Sequence, residues 1–216
     1  GLSDKWLGML MANRYFGSEV MDSTLSSAIA DGICEIRWHG RGGQGAVSSA
    51  KILAVAAYRD GCRGVTSAPS FGAERRGAPV TASTRLSAEP IRLFSQSESP
   101  DMVIVLDDSL IATADATAGL KPGGWIVVNS RRAPADLALG ADFQVATADA
   151  NEAAEEAGLI VSGQAMVNTA MLGAVARATG IISLDEIEKA FAGAFSPKAA
   201  KINYDAARLT YERTRL

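Results

Sequence analysis

The chain has 216 residues, with 21 Lys and Arg against 24 Asp and Glu and a formal net charge of −3 at pH 7. This length is enough to bury a sizeable core, and the near-balanced charge argues against the basic footprint of a nucleic-acid-binding protein. No apolar run approaches the roughly 20 residues of a membrane-spanning helix. We therefore expect a globular cytoplasmic protein with neither nucleic acid nor membrane as partner.

The few cysteine and histidine residues limit the chemistry further. The chain has two cysteines, Cys34 and Cys62, and one histidine, His39. They cannot supply a four-cysteine iron–sulfur cluster, a zinc site of the usual kind or a catalytic triad. We predict two reduced, buried thiols, and neither a metal ligand nor a catalytic residue in this chain.

Residues 1–31 are predicted to form an N-terminal helical extension. Apolar side chains crowd this segment: Trp6, Leu7, Met9, Leu10, Met11, Tyr15 and Phe16. A helix with that much apolar surface must cover something, either its own domain or another subunit. We assign it to subunit docking, and we expect residues 32–216 to form the main domain.

The most informative stretch follows the first predicted strand, Ile33 to His39. Four glycines occur there within six residues, in the sequence Gly40-Arg41-Gly42-Gly43-Gln44-Gly45, before a predicted helix from Ala46 to Tyr58. The spacing G-x-G-x-x-G gives a tight turn and lets a ligand approach the backbone. The loop amides and the helix start would face an anion, although many α/β proteins use such glycines only to turn the chain.

The next predicted strand, near Gly64 to Thr66, does not favour a nicotinamide or flavin dinucleotide. Such a domain carries an acidic residue at the far end of this strand, which binds the ribose hydroxyls. The chain has Ser67-Ala68-Pro69 there, and Asp60 precedes the strand. A free-standing dinucleotide-binding oxidoreductase therefore stays an alternative with weaker support.

The long connection from Ser67 to Pro79 is a second candidate site, because long loops in α/β domains are usually functional. It contains the adjacent arginines Arg75 and Arg76, whose guanidinium groups suit phosphate or carboxylate. Salt bridges to Glu74 in a solvated loop are the alternative interpretation.

The remaining pattern alternates strands with helices. We predict a half-buried strand from Val80 to Ser87 that Ile91 to Phe94 continues, buried strands at 101–106 and 125–128, a strand at 143–146, and helices at 109–118, 167–176 and beyond Ser183 and Pro197. This order predicts an α/β fold with a Rossmann-like, doubly wound, mostly parallel sheet and C-terminal helices. Asn168 is either a helix cap or a site residue.

Together, the two loops resemble the gamma subunit, or gamma domain, of the 2-oxoacid:ferredoxin oxidoreductases, the pyruvate:ferredoxin oxidoreductase family. The family pattern is similar to G-x-G-G-Q-G and then P-S-Y-G-x-E-x-R-G-G, and the chain has these motifs at 40–45 and 69–78. Phe71 replaces the tyrosine and Ala78 the second glycine. The resemblance runs from about residue 33 to about residue 212.

The resemblance implies a heteromeric enzyme that oxidatively decarboxylates a 2-oxoacid to an acyl-CoA. Partner subunits would hold thiamine diphosphate, Mg²⁺ and iron–sulfur clusters and pass electrons to ferredoxin or another acceptor, and this chain alone would be inactive. The implied coenzyme A or phosphate site is Gly40, Arg41, Gly42, Gly43, Gln44 and Gly45. The implied active-site-facing or subunit-contact loop contains Ser70, Phe71, Glu74, Arg75 and Arg76. A purely structural interaction module remains a further alternative.

Overall fold

The computed structural model describes residues 32–69, 77–92 and 98–216. The predicted N-terminal extension and the loop residues Ser70, Phe71, Glu74, Arg75 and Arg76 lie outside the described residues.

Six strands form one sheet: β1 (Ile33–Arg41), β2 (Gly64–Pro69), β3 (Pro79–Ser87), β4 (Met102–Val105), β5 (Trp125–Asn129) and β6 (Gln144–Ala148). A separate two-stranded hairpin consists of β7 (Ile160–Val161) and β8 (Gln164–Ala165). The helices are α1 (Ala46–Arg59), α2 (Leu110–Thr113), α3 (Ala150–Glu156), α4 (Val167–Thr179), α5 (Leu184–Ala194) and α6 (Pro197–Arg213), with a 3₁₀ turn at Pro134–Leu137.

The spatial order of the main sheet is β2-β3-β1-β4-β5-β6. Strands β1, β4, β5 and β6 are parallel, whereas β3 is antiparallel to both of its neighbours, β1 and β2. The predicted mostly parallel α/β sheet is therefore confirmed. After β1, the chain forms β2 and β3 on one side of β1 within the sheet, and it then returns to form β4 on the other side of β1. The crevice outside the carboxyl ends of β1 and β4 is thus a switch point, where α/β sheets commonly bind ligands.

The core is divided between the two faces of the sheet. One face packs against α1 and α3 to α6, and its largest fully buried side chains include Trp38, Leu53, Ile104, Met171 and Phe191. The other face packs against α2, the turns that follow it and the 3₁₀ turn. All four residues of β4 are buried, as the continuous apolar run predicts for a strand covered on both faces.

The C-terminal helices begin where the sequence indicates. Ser183 caps α5 by accepting a hydrogen bond from the amide of Glu186 at 3.2 Å, and Pro197 is the first residue of α6. Gly180 ends α4 in the left-handed conformation, with φ +61°, which glycine adopts at low cost. In the described ranges, no helix is both long and apolar enough to cross a membrane.

The predicted helix at 109–118 is present but its predicted length is wrong, because α2 runs only from Leu110 to Thr113. Asp115 has φ +44°, in the left-handed region, and the chain then continues as turns to Leu120. These turns leave the carbonyls of Ala116 and Ala118 free to accept hydrogen bonds from the guanidinium of Arg37 on β1. The shorter helix therefore provides hydrogen-bond acceptors for the guanidinium group of Arg37.

The predicted continuation of the sheet at Ile91 to Phe94 is wrong for Ile91 and Arg92, which lie outside any strand; Phe94 is outside the described residues. The chain instead folds back against the start of β2. A Cβ placed on Gly64 would lie 2.1 Å from the carbonyl oxygen of Glu89, so this close approach requires glycine.

Candidate functional site

The glycine loop, residues 40–45, is a tight turn between β1 and α1. The side-chain carbonyl of Gln44 accepts from the amide of Arg41 at 2.7 Å, and the amide of Gln44 donates to the carbonyl of Arg41 at 2.9 Å. Gly43 and Gly45 have φ values of +95° and +83°. Gln44 thus maintains the shape of a loop whose backbone only glycine adopts readily.

Arg41 connects the glycine loop to the carboxyl end of β4. Its Nε donates to Oδ2 of Asp107 at 2.7 Å and its Nη2 to Oγ of Ser109 at 2.7 Å. Burial alone would raise the pKa of Asp107, but hydrogen bonds from Ser109 and Arg41 lower it below its ordinary value. The guanidinium of Arg41 is therefore already paired with a carboxylate.

The two sequence motifs meet through their backbones. The amide of Gly42 donates to the carbonyl of Ala78 at 2.8 Å, and the amide of Gly77 donates to the carbonyl of Gly42 at 3.1 Å. Nη1 of Arg41 also donates to the carbonyl of Gly77. The end of the second loop is therefore fixed beside the glycine loop, although 36 positions separate them in the chain.

The start of α4 closes the site from the opposite side. Asn168, the second residue of α4, donates from Nδ2 to the carbonyl of Gly45 at 3.3 Å. The expectation that Asn168 caps a helix is wrong, because the capping position of α4 is Met166 and no side chain caps it. The amide groups in the first turn of α4 have no acceptor within the helix and form its partly positive end.

A cavity of about 480 Å³ lies between these elements. Four of the six predicted glycine-loop residues line it, namely Arg41, Gly42, Gly43 and Gln44. Gly40 and Gly45 have packing roles instead: a Cβ on Gly40 would meet Leu106 at 3.2 Å, and one on Gly45 would meet Asn168 at 2.5 Å. Gly77, from the second candidate loop, also lines the cavity. The rest of the lining was not predicted as part of a site and consists of Asn151, Glu155, Gln164, Ala165, Met166 and Val167.

The hairpin β7–β8 supplies Gln164 and Ala165 to this cavity and was missed in the sequence. Its turn residues, Ser162 and Gly163, both have positive φ, +52° and +78°, as a two-residue type I′ turn requires. The Ser-Gly pair directly after the apolar pair Ile160-Val161 is the signal that indicates such a turn.

Outside this cavity, the single histidine and both cysteines are buried. Burial lowers the pKa of His39 to about 4, with a further contribution from the charge of Arg37. Burial also raises the pKa of Cys34 to about 12 and that of Cys62 to about 11. Both thiols are free and buried, as predicted, and no group of three His, Cys, Asp or Glu suited to a metal occurs among the described residues.

The sheet order also weakens the dinucleotide-binding alternative. In a dinucleotide-binding domain, the strand that carries the ribose-binding acid lies beside the first strand. Here β3 lies between β1 and β2, which displaces the end of β2 by about 10 Å from β1, or two strand spacings. That end also has no acidic residue.

Comparisons with known proteins identify the family. The model of the pyruvate ferredoxin/flavodoxin oxidoreductase family matches residues 35–213. The common gamma subunit of the pyruvate/ketoisovalerate oxidoreductases of Thermococcus litoralis is 47% identical over 191 residues, which covers 83% of this chain and 96% of that one. The pyruvate synthase subunit PorC of Methanothermobacter thermautotrophicus is 46% identical over 178 residues, covering 82% and 94%.

A solved structure agrees with these sequence relatives. The crystal structure of pyruvate oxidoreductase subunit PORC from Thermotoga maritima superposes with a TM-score of 0.72 at 35% identity, covering 85% of this chain and 97% of the other. The chain therefore belongs to the pyruvate ferredoxin/flavodoxin oxidoreductase family, as a gamma-type (PorC) subunit.

Proposed function

We propose that this chain is the noncatalytic gamma subunit of a multisubunit complex that oxidises a 2-oxoacid to an acyl-CoA, and that the cavity beside the glycine loop binds the phosphates of coenzyme A. The names of the relatives make pyruvate the first substrate to test, with ketoisovalerate next. The observation that supports the proposal is the cavity itself, in which backbone amides from a glycine loop and an uncapped helix start converge at the switch point of the sheet.

The anion would contact backbone amides rather than a free cation. The amide of Gly42 is bonded to Ala78 and that of Gln44 to Arg41, whereas the amide of Gly43 has no partner among the described residues. Met166 and Val167, at the start of α4, line the same cavity, so the partly positive end of this helix would contribute to binding the anion. Arg41 would contribute its charge while it remains bound to Asp107, so its chief role is to hold the loop.

The redox and thiamine chemistry would reside in partner subunits. The described residues do not fit an iron–sulfur cluster or a thiamine diphosphate–Mg²⁺ site, because the two thiols are buried and no acidic or histidine cluster accompanies them. We accordingly expect this chain to have no activity by itself. Residues 1–31 would dock on a partner subunit.

The second loop would complete the active site at the rim of the cavity. Gly77 lines the cavity and directly follows Arg76 in the chain. We propose that Arg75 and Arg76 pair with a phosphate of coenzyme A or with an acidic group of the thiamine-binding subunit, and that this pairing closes the loop over the reacting groups.

The test uses two variants of Gly43 that have the same shape and different charge. A Cβ on Gly43 meets no atom within 4 Å, so Gly43→Asn and Gly43→Asp would both place a side chain at the open cavity, and both residue types tolerate positive φ better than most. In the assembled complex, we expect the KM for coenzyme A to rise at least about tenfold more for Gly43→Asp than for Gly43→Asn, with the KM for pyruvate unchanged.

Equal KM values for coenzyme A in wild type and both variants would refute the phosphate site. Oxidation of a 2-oxoacid by the purified chain alone would refute the noncatalytic role. Tight NADH binding in a fluorescence titration would favour the dinucleotide alternative instead.

A further inference from the structure

Asn168 joins the two halves of the proposed coenzyme A site. Its Nδ2 lies 3.3 Å from the carbonyl oxygen of Gly45, which also accepts the amide of Ser49 as the first hydrogen bond of α1. Gly45 is the residue before α1, and Asn168 is in the first turn of α4. One side-chain amide therefore connects the starts of two helices that are 123 positions apart in the chain.

The fit between Asn168 and Gly45 leaves no spare space. Asn168 is only 4% exposed. A Cβ on Gly45 would lie 2.5 Å from Nδ2 and 2.8 Å from Cγ of Asn168, closer than real Cβ contacts. The hydrogen bond and this contact together fix the distance between the glycine loop and α4.

The residues on both sides of this contact line the cavity. Gly43 and Gln44 precede Gly45, and Met166 and Val167 precede Asn168. A change in the spacing of the two helix starts would therefore separate the two sets of amides that face the cavity. An anion bound between them needs both sets at hydrogen-bond distance, about 2.7–3.2 Å.

We infer that Asn168 is a positioning residue for coenzyme A, setting the spacing between the glycine loop and the start of α4 without contacting the ligand itself. The inference rests on the proposed coenzyme A site. Removal of Asn168 should weaken coenzyme A binding without affecting the chemistry at the thiamine centre. A purely structural side chain would instead lower the stability of the subunit and leave the KM for coenzyme A unchanged.

The test compares Asn168→Ala with a neighbouring control, Thr169→Val, in the assembled complex. Thr169 is also buried and donates from Oγ1 to Oδ1 of Asn203 on α6, away from the glycine loop. We expect Asn168→Ala to raise the KM for coenzyme A about five- to tenfold, as the loss of one buried hydrogen bond would. The kcat at saturating coenzyme A and the KM for pyruvate should stay within about twofold of wild type, and Thr169→Val should change stability without raising the KM for coenzyme A.

A double-mutant cycle with Gly45→Ala makes the test specific. The added methyl group would displace Asn168, so Gly45→Ala should weaken coenzyme A binding by the same route, in addition to the backbone strain of alanine at φ +83°. The Gly45→Ala/Asn168→Ala pair then has no contact left to lose, and its KM should lie well below the value expected if the two effects multiplied. If Asn168→Ala prevents assembly, Asn168→Leu replaces it, because leucine keeps the branched shape and favours a helix, adds no charge beside the proposed anion site, and cannot donate to Gly45.

The outcomes separate this inference from the proposed function. An unchanged KM for coenzyme A in Asn168→Ala, alongside a raised KM in Gly43→Asp, would overturn the positioning role and leave the phosphate site intact. Multiplicative effects in the double mutant would also overturn it. An unchanged KM in both Gly43→Asp and Asn168→Ala would overturn the proposed site and the inference together.

Discussion

Two Gly→Ala substitutions in this chain should change stability in opposite directions. Gly173, in the middle of α4, lies directly against α6: a Cβ there would be 1.8 Å from the carbonyl oxygen of Ala207 and 3.0 Å from the amide nitrogen of Tyr211. Gly193 lies on the exposed side of α5, so its Cβ would point to solvent. The same added methyl group thus meets backbone at one site and water at the other.

The expected magnitudes follow from these distances. Alanine favours a helix over glycine by up to about 1 kcal/mol, and by about 0.5 kcal/mol near a helix end such as Gly193. At Gly173 this gain is outweighed, because the methyl group would be more than about 1.5 Å inside van der Waals contact, and overpacking costs about 1–3 kcal/mol or more. We expect Gly173→Ala to lose about 2 kcal/mol, which lowers the Tm by about 4–8 °C.

The assay is thermal unfolding of the purified chain, followed by circular dichroism and calorimetry. Gly193→Ala should raise the Tm by about 1–2 °C and serves as the matched control. If Gly173→Ala melts at or above the wild-type temperature, α4 and α6 are not packed as closely as the structure shows. Gly173 would then not be what fixes the distance between these two helices.

Three further predictions concern titration, reactivity and charge. The pKa of His39 is about 4 in the folded chain and about 6.5 in the unfolded chain. Between these two pH values the unfolded state therefore binds more protons than the folded state. The free energy of unfolding should accordingly fall as the pH drops from 6.5 to 4, by roughly 3 kcal/mol at most. His39→Gln, whose carbonyl can replace Nε2 as the acceptor for Arg37, should flatten that part of the pH profile in urea titrations, and an unaltered slope would contradict the assignment. Cys34 and Cys62 should not react with a thiol reagent at pH 8 until the chain is denatured, so rapid labelling of the native chain would show that they are accessible. Glu155→Gln removes the carboxylate that lines the cavity and should lower the KM for coenzyme A about twofold, whereas Glu156→Gln, whose side chain pairs with Arg213 instead, should leave it unchanged.

The sequence predicts the elements of this fold better than their arrangement. Strands β4 and β5 are recognisable because each contains four consecutive apolar residues, which is typical of a strand buried on two faces. The insertion of β3 between β1 and β2 leaves no comparable signal, since strand pairing depends on contacts between distant residues. Local patterns therefore predict β3 as a strand without predicting its neighbours.

The same distinction applies to the candidate site. The glycine spacing predicts the loop correctly, because positive φ at Gly43 and Gly45 is a local requirement. The role of Asn168 is not predictable locally, because its partner, Gly45, is 123 positions away. Glu155 and Gln164 look like ordinary surface residues in the sequence, and only the packing of α3 and the hairpin places them at the cavity.

The hydrogen bonds between Gly42 and Gly77–Ala78 have a consequence for how this subunit can diversify. Pro69, at the end of β2, is paired with Ala82 on β3, and Gly77 is held at the other end of the same connection. Both ends of the connection are thus held by backbone contacts outside residues 70–76. Substitutions between Pro69 and Gly77 should accordingly leave the hydrogen bonds between Gly42 and Gly77–Ala78 in place.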